Sequence, residues 1–378
     1  MRADLHVHLG SALGRRVKMG ASFRLSLPQL AQDPSVWAGM DVLGVVDCQV
    51  FGPLEELEGL LSAGEIRQLP GGGFSFPGGL LVAGAEMQVE GFHAVAFVPD
   101  LEALRALSRH YLRSVSNPRL STGAVRTSGR ALAREVSAMG GVLVPAHVFT
   151  PFRGLLGRGQ DLAGVLGAQP PLVELGLSAD TSMAHRLAAL QNSVFLTNSD
   201  AHSPERIGRE HNLLAGSPGD FTSLLDLLIR GKVAANYGLD PRLGKYFRSL
   251  CRRCGFDASG RREAVLACPA CGQGPLVRGV WDRAEIMEKV DRPRSRPPYV
   301  HQVPLSTLPG IGPQTRGLLL KELGSEHRVL HEADLSEVEM AGGIRARRAV
   351  DGFRQGQLSF REGGGGRYGS IIRCSSGA

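Results

Sequence analysis

The sequence predicts an α/β fold: a parallel barrel over the first two thirds, then a metal-stapled, basic tail. Three observations carry this. Short apolar runs alternate with helical stretches up to about residue 240. Imidazoles and carboxylates recur where those apolar runs end. Two Cys-x-x-Cys pairs follow only after residue 250.

The expected strands are residues 2–8, 41–47, 80–89, 93–99, 141–147, 171–177, 193–200 and 232–237. Several are near-continuous apolar runs, as strands buried on both faces require. Helical stretches lie between them, at 101–107, 125–139 and 220–229, with Asp220 placed to cap the last. Gly71-Gly72-Gly73 and Pro77-Gly78-Gly79 read as turns of a hairpin-like excursion, not as a phosphate loop.

The first strand sets the chemistry. In Asp4-Leu5-His6-Val7-His8 the period of two turns both imidazoles to one side, which makes half a metal site. Asp47 ends the second strand and Glu86 lies late in the third. His147 ends the fifth, and Asp200 and His202 follow the seventh with the same spacing of two. His93 is the exception, because it opens its strand. In a parallel barrel the C-terminal strand ends share the face that carries the active site. Each residue alone has a duller reading, as a hydrogen-bonded core histidine or a turn aspartate, but the two doublets raise the joint case. Imidazoles and carboxylates without thiolate suit Zn, Mn or Fe at a hydrolytic site. A bridging carboxylate lets two or three such ions sit together and clamp a phosphoryl group. No Walker loop or dinucleotide glycine fingerprint competes.

Composition bounds the rest. The 378 residues are 43% hydrophobic and 21% charged, ordinary for a globular chain. No apolar run is long enough for a bilayer span, and no secretory leader is expected, which gives a cytoplasmic reading without a membrane partner. Residues 1–240 carry 20 Lys/Arg against 22 Asp/Glu, net −2. Residues 241–378 carry 23 against 14, net +9, so the excess sits wholly in the tail and suggests a polyanion.

Three regions are expected: the barrel at 1–240, a zinc module with linker at 241–300, and a helical tail at 301–378. Cys251, Cys254, Cys268 and Cys271 form two knuckles, each followed by glycine. Four thiolates close a tetrahedron, so this zinc is expected to be structural. Arg252, Arg253, Arg261 and Arg262 make the module either a DNA clamp or a plain spacer. Residues 291–298 read as a basic, proline-rich linker. In the tail, Gly310 and Gly312 precede a helical run with Arg316 and Lys321, the pattern of a helix-hairpin-helix turn that holds a phosphate on backbone N–H groups. Residues 344–353 read as a basic helix and the glycines at 363–366 as a flexible loop. Phe149 and Phe152 either stack on a nucleotide or pack the barrel mouth. Arg119, Arg126 and Arg130 are rim candidates for the phosphate backbone.

Asp4-Leu5-His6-Val7-His8 and Asn198-Ser199-Asp200-Ala201-His202 resemble the polymerase and histidinol phosphatase (PHP) superfamily. That likeness implies a distorted (β/α)7 PHP barrel and metal-dependent phosphoester hydrolysis. The stretches Pro145-Ala146-His147-Val148-Phe149-Thr150-Pro151-Phe152, Glu174-Leu175-Gly176-Leu177-Ser178-Ala179-Asp180 and Ser199-Asp200-Ala201-His202-Ser203-Pro204 are similar to the endonuclease Q family. The resemblance implies a DNA-repair endonuclease. It would cut 5′ to uracil, hypoxanthine, xanthine or an abasic site and leave 3′-hydroxyl and 5′-phosphate ends. It also implies that His6, His8, Glu86, His93, His147, Asp200 and His202 hold two or three divalent ions (Zn, Mn or Mg), with Asp200 and His202 catalytic. One departure stands out: the family histidine expected just after Asp47 is absent from Asp47-Cys48-Gln49-Val50. Two other classes stay open, a small-molecule phosphatase of the histidinol-phosphate type and a non-catalytic DNA-damage binding protein. A replication or repair protein partner is compatible with either DNA reading, and oligomeric state is left open.

Overall fold

A computed structural model of the chain describes residues 1–259, 267–273 and 276–372; Arg261 and Arg262 lie outside the described residues. Ten strands matter for the site: Arg2–Val7 (β1), Val42–Val45 (β2), Gly79–Val89 (β3), Phe92–Phe97 (β4), Val142–Pro145 (β5), Leu172–Glu174 (β6), Val194–Leu196 (β7), His211–Leu214 (β8), Val233–Leu239 (β9) and Tyr299–Gln302 (β10). Every strand expected from the sequence is present within a few residues. Of these ten, β8 and β10 were not expected, and β10 crosses the boundary expected at residue 300.

The main sheet runs β5-β4-β3-β2-β1-β8-β9-β10, with β6 and β7 a separate parallel pair. The α/β class is the expected one, but the sheet is mixed. β1, β2 and β3 are parallel neighbours, as are β9 and β10. β3–β4, β4–β5, β1–β8 and β8–β9 are antiparallel. The cause at β3–β4 is local. Glu90 and Gly91 both have positive φ (47° and 88°), which makes a two-residue hairpin that can only reverse the chain.

The β6–β7 pair joins the sheet through side chains. Asn212 accepts from Thr197 N (2.9 Å) and donates to the carbonyls of Thr197 (3.0 Å) and Ala3 (3.1 Å). Asn236 donates to Phe195 O (3.1 Å) and to Asn212 Oδ1 (3.0 Å). Both amides are fully buried, so they replace a missing ladder between β7 and β8. This is why β8 escapes a hydrophobic reading: its central residue is a polar bridge.

Helix Phe221–Ile229 starts as expected, with Asp220 and Ser223 in a reciprocal capping box. Ala3 and Leu5 of β1 pack in the apolar cluster under it, with Val82, Phe97 and Leu224. The tail has its own core, centred on Leu305, Leu319, Val329, Val338 and Val350, with helices Pro313–Leu323 and Leu335–Arg354 as its main elements.

The linker at 291–298 is docked on the barrel: the Arg296 guanidinium lies 3.8 Å from the Phe195 ring centroid and donates to Leu190 O (2.6 Å). One expectation about the tail is corrected. The glycines after residue 362 do not form a loose loop. Gly363 and Gly369 donate to the carbonyls of Arg242 (2.8 Å) and Leu243 (3.0 Å), and a Cβ at Gly369 would lie 2.2 Å from Arg242 O. Only a residue without a side chain lets these backbones lie against each other.

Asn212→Ala removes five hydrogen bonds at a buried junction, and leaving such groups unpaired typically costs about 2–4 kcal/mol. The expected outcome is a melting temperature lower by several degrees, read by calorimetry, with the Cys-bound metal retained.

Candidate metal centre

Alternation along β1 puts Asp4, His6 and His8 on one face, and all three are fully buried. Asp4 ties down the chain after β7. It accepts from Ser199 Oγ (2.6 Å), Ser199 N (3.1 Å) and Gly208 N (2.9 Å). Backbone bonds from His8 N to Ala201 O (2.9 Å) and from Ala201 N to His6 O (3.2 Å) then lay Asp200 across the two imidazoles.

Each imidazole is oriented by a buried carboxylate. His6 Nδ1 lies 2.8 Å from Glu174 Oε2, and His8 Nδ1 lies 3.0 Å from Asp47 Oδ2. With Nδ1 engaged on both rings, the two Nε2 atoms face each other at 3.3 Å. Asp200 Oδ1 lies 3.2 Å from His8 Nε2 and 3.6 Å from His6 Nε2, and Glu86 oxygens lie at 3.5 and 3.7 Å. Five electron-rich atoms converging on one largely buried spot need positive charge among them. Without metal, a proton supplies it. Burial opposes charging His6, but the charge and hydrogen bond of Glu174 outweigh it and raise its pKa to about 10. Burial likewise opposes ionisation of Asp200, yet the His8 hydrogen bond and the charges of both histidines hold its carboxyl below the usual range.

A second group adjoins the first. His93 Nδ1 is 2.9 Å and His147 Nε2 3.4 Å from Glu86 Oε1. The exceptional position of His93 now has a cause. β4 runs antiparallel to β3, with His93 opposite Gln88, so the start of β4 lies at the end of β3 where Glu86 sits. His147 and Asp200 both hold positive φ (31° and 47°), backbone strain of the kind that collects at functional sites.

Three groups of potential ligands result among the described residues: His6, His8 and Glu86; His8, Asp200 and His202; and Glu86, His93 and His147. Asp47 is placed otherwise than expected. Both of its oxygens face His8 Nδ1, and Oδ2 also accepts from Leu9 N (2.6 Å), so it orients a ligand instead of joining a group. Glu174, which does the same for His6, was missed although it too ends an apolar strand. Gln49 is fully buried.

Glu86, His93, His147, Asp200 and His202 line a cleft of about 470 Å³ whose wall includes Lys18, Arg153, Arg206, Arg209, Lys245, Tyr246 and Tyr368. Arg209 is held by fully buried Glu210 at 2.9 and 3.1 Å. These cations, not Arg119, Arg126 or Arg130, line the site. Phe149 is 1% exposed and belongs to the core, which removes it as a stacking surface. Phe152 is 57% exposed, with its ring centroid 6.3 Å from that of Tyr246 at the mouth. In the tail, Gly312 begins helix Pro313–Leu323 without a side-chain cap, after Gly310 at φ 95°. Lys321 is exposed, whereas Arg316 is paired with Glu326 at 2.9 Å.

The four cysteine sulfurs lie within 4.8 Å of one another, with Cys251–Cys271 at 3.8 Å and Cys254–Cys268 at 3.6 Å. Those separations exclude disulfides. They match the roughly 3.8 Å edge of a tetrahedron with metal–sulfur bonds of about 2.3 Å.

No family model matches the sequence. Over 384 residues the chain is 38% identical to Uncharacterized protein YqxK of Bacillus subtilis (strain 168), covering 98% of each. The lesion-specific endonuclease PfuEndoQ of Pyrococcus furiosus superposes with a TM-score of 0.82 at 27% identity, over 98% of this chain and 94% of that one. The chain belongs to the endonuclease Q family. A second endonuclease Q structure, a complex with a 27-mer duplex carrying an abasic lesion at the active site, gives a TM-score of 0.84 at 28% identity. It covers 99% of this chain and 96% of that one. Uncharacterized protein MJ0043 of Methanocaldococcus jannaschii is 35% identical over 246 residues, 60% of this chain; the match spans 31% of MJ0043.

Glu174→Gln keeps the shape but weakens the hydrogen bond to His6, so affinity for Mn(II) is expected to fall ~10–100-fold in a metal titration. The pH dependence has a definite sign. His6 is held protonated without metal, so uptake releases a proton and affinity rises with pH between 6 and 9.

Proposed function

We propose that this chain hydrolyses a DNA phosphodiester beside a damaged nucleotide. The observation that carries the reading is the ligand cluster at the floor of a cleft walled by cations, in a chain of the endonuclease Q family. His6, His8, Glu86 and Asp200 would hold one divalent ion, and Glu86, His93 and His147 a second, with Zn, Mn or Mg as the candidates. Bound there, such ions supply the positive charge that polarises a phosphoryl oxygen and acidifies an attacking water. His202 lines the cleft with Nδ1 fixed on Asp200 O (2.8 Å), and burial lowers its pKa. It is thus a neutral imidazole suited to take a proton from that water. Arg153, Arg206, Arg209 and Lys245 face the phosphates on either side of the cut.

The finer assignment follows the family resemblance. The substrate would carry uracil, hypoxanthine, xanthine or an abasic site. The cut would fall on its 5′ side and leave 3′-hydroxyl and 5′-phosphate ends. Taking a nucleotide out of the stack costs a few kcal/mol, least where pairing is already lost, which itself favours lesions. Exposed Phe152 is placed to fill or flank the resulting gap. Away from the cleft, the Gly310–Gly312 turn and the uncapped helix start would offer N–H groups to the duplex backbone, as a helix-hairpin-helix element does, and exposed Lys321 in the last turn of the same helix adds positive charge. The cysteine site would hold a structural zinc that shapes the segment joining barrel and tail. Side chains from beyond residue 240 on the cleft wall support a polymeric substrate over a small phosphate ester.

An end-labelled duplex with one deoxyuridine, deoxyinosine or abasic site is expected to be nicked immediately 5′ to the lesion, with an undamaged control intact. Asp200→Asn is expected to slow the nick by at least ~100-fold. An unchanged rate in that variant, or equal cutting of the control, would contradict the assignment.

A further inference from the structure

The chain between β1 and β2 holds a side chain that folding does not reward. Residues 11–12 and 15–16 pair antiparallel, with Ala12 opposite Arg15, so Leu13 and Gly14 form a two-residue hairpin turn. Both have positive φ (50° and 68°), the geometry of a type I′ turn. Asparagine or glycine fills such a turn without strain; a leucine resists it. The strained leucine buries little in return, being 49% exposed. Strain of this kind collects where a side chain is needed for something other than packing.

The segments against the hairpin leave more apolar surface in solvent. Phe23 is 48% exposed, and its carbonyl accepts from Ser11 Oγ (2.7 Å). Phe51 is 65% exposed and precedes Gly52, where a Cβ would lie 3.0 Å from Ala12 Cβ. Arg15 and Arg16 are exposed beside the tip. The hairpin is also tied down. Leu13 N donates to Glu56 Oε1 (2.7 Å) and Val17 N to Gly10 O (3.0 Å). Just beyond it, Lys18 Nζ lies 2.8 Å from Glu86 Oε2, and Ser22 N donates to His202 O (2.6 Å). The tip is therefore held in fixed relation to the ligand cluster, on the segment whose Lys18 and Gly20 line the cleft.

We propose that this hairpin is a DNA wedge: Leu13, with Phe51 behind it, enters the base stack beside the damaged nucleotide and holds open the step from which that nucleotide leaves. Duplex DNA fits both features of the patch. Its phosphates meet Arg15 and Arg16, and an opened base step takes an apolar side chain. Asparagine at the tip would relax the turn but offer no apolar surface. Phe152, against Tyr246, belongs to another segment of the rim. This inference rests on the proposed reading of the cleft as a lesion site.

The test is Leu13→Asn, a substitution that suits the turn. Its melting temperature is expected to equal or exceed that of wild type. Nicking at a deoxyuridine in a fully paired duplex is expected to slow roughly tenfold or more, while the same lesion inside a mismatched bubble, already unstacked, is cut within about twofold of the wild-type rate. A 2-aminopurine beside the lesion reads stacking without cutting. In the Asp200→Asn background its fluorescence is expected to rise on binding, and to rise much less once Leu13→Asn is added. Equal slowing on both duplexes, no rise with Leu13 present, or an undiminished rise without it would overturn the wedge and leave the nuclease reading intact. A rise that depends on Leu13, with no nick by wild type in any metal, would keep the wedge and overturn the nuclease reading. A melting temperature lower by several degrees would make Leu13 a residue of the fold and contradict the proposal. So would a variant altered only in its mass by light scattering, because the patch would then join copies of the chain.

Discussion

Two imidazole nitrogens, His6 Nε2 and His8 Nε2, are held 3.3 Å apart on fully buried rings. Such a contact persists only if positive charge is supplied between or beside the rings. The protein enforces the demand through Glu174 and Asp47, which occupy the opposite nitrogens and leave the rings no way to turn. The surrounding architecture is arranged to keep that demand in place.

The irregular features of the barrel follow from it. A regular parallel ladder would bring only C-terminal strand ends to the site. The hairpin at Glu90–Gly91 reverses β4 and delivers His93 from a strand start. Side-chain amides of Asn212 and Asn236 close the gap between β7 and β8, while Asn198 reaches Glu174 Oε2 at 3.0 Å. The same polar network that completes the barrel therefore also orients a metal ligand. Asp4 adds to it by fixing the turn from which Asp200 projects. Fold closure and site geometry are the same hydrogen bonds.

Much of this was readable in the chain because strand periodicity and ligand chemistry coincide. Period-two spacing places His6 with His8, and apolar runs ending in Glu86, His147 and Asp200 mark the rest. What escaped depended on contacts across the sequence. Asp47 looks like a ligand, and Glu174 goes unnoticed, until the imidazole nitrogen each one faces is known. Lys18 lies in a turn with no motif, and only the fold carries it to Glu86. Phe149 reads like an exposed aromatic beside a ligand, but the chain after β5 turns it into the core. The tail glycines look flexible from composition alone; their role is to let two backbones touch.

The tail is therefore part of the cleft: Lys245, Tyr246 and Tyr368 bring its basic, aromatic character to the barrel's mouth. The central claim is that carboxylate-backed histidines of β1 build a metal centre for phosphodiester cleavage. Anomalous diffraction from Mn-loaded crystals tests it most directly. The account predicts peaks at the cleft floor, one among His6, His8, Glu86 and Asp200 and one among Glu86, His93 and His147. A crystal with strong signal at the cysteines and none at those residues would contradict it.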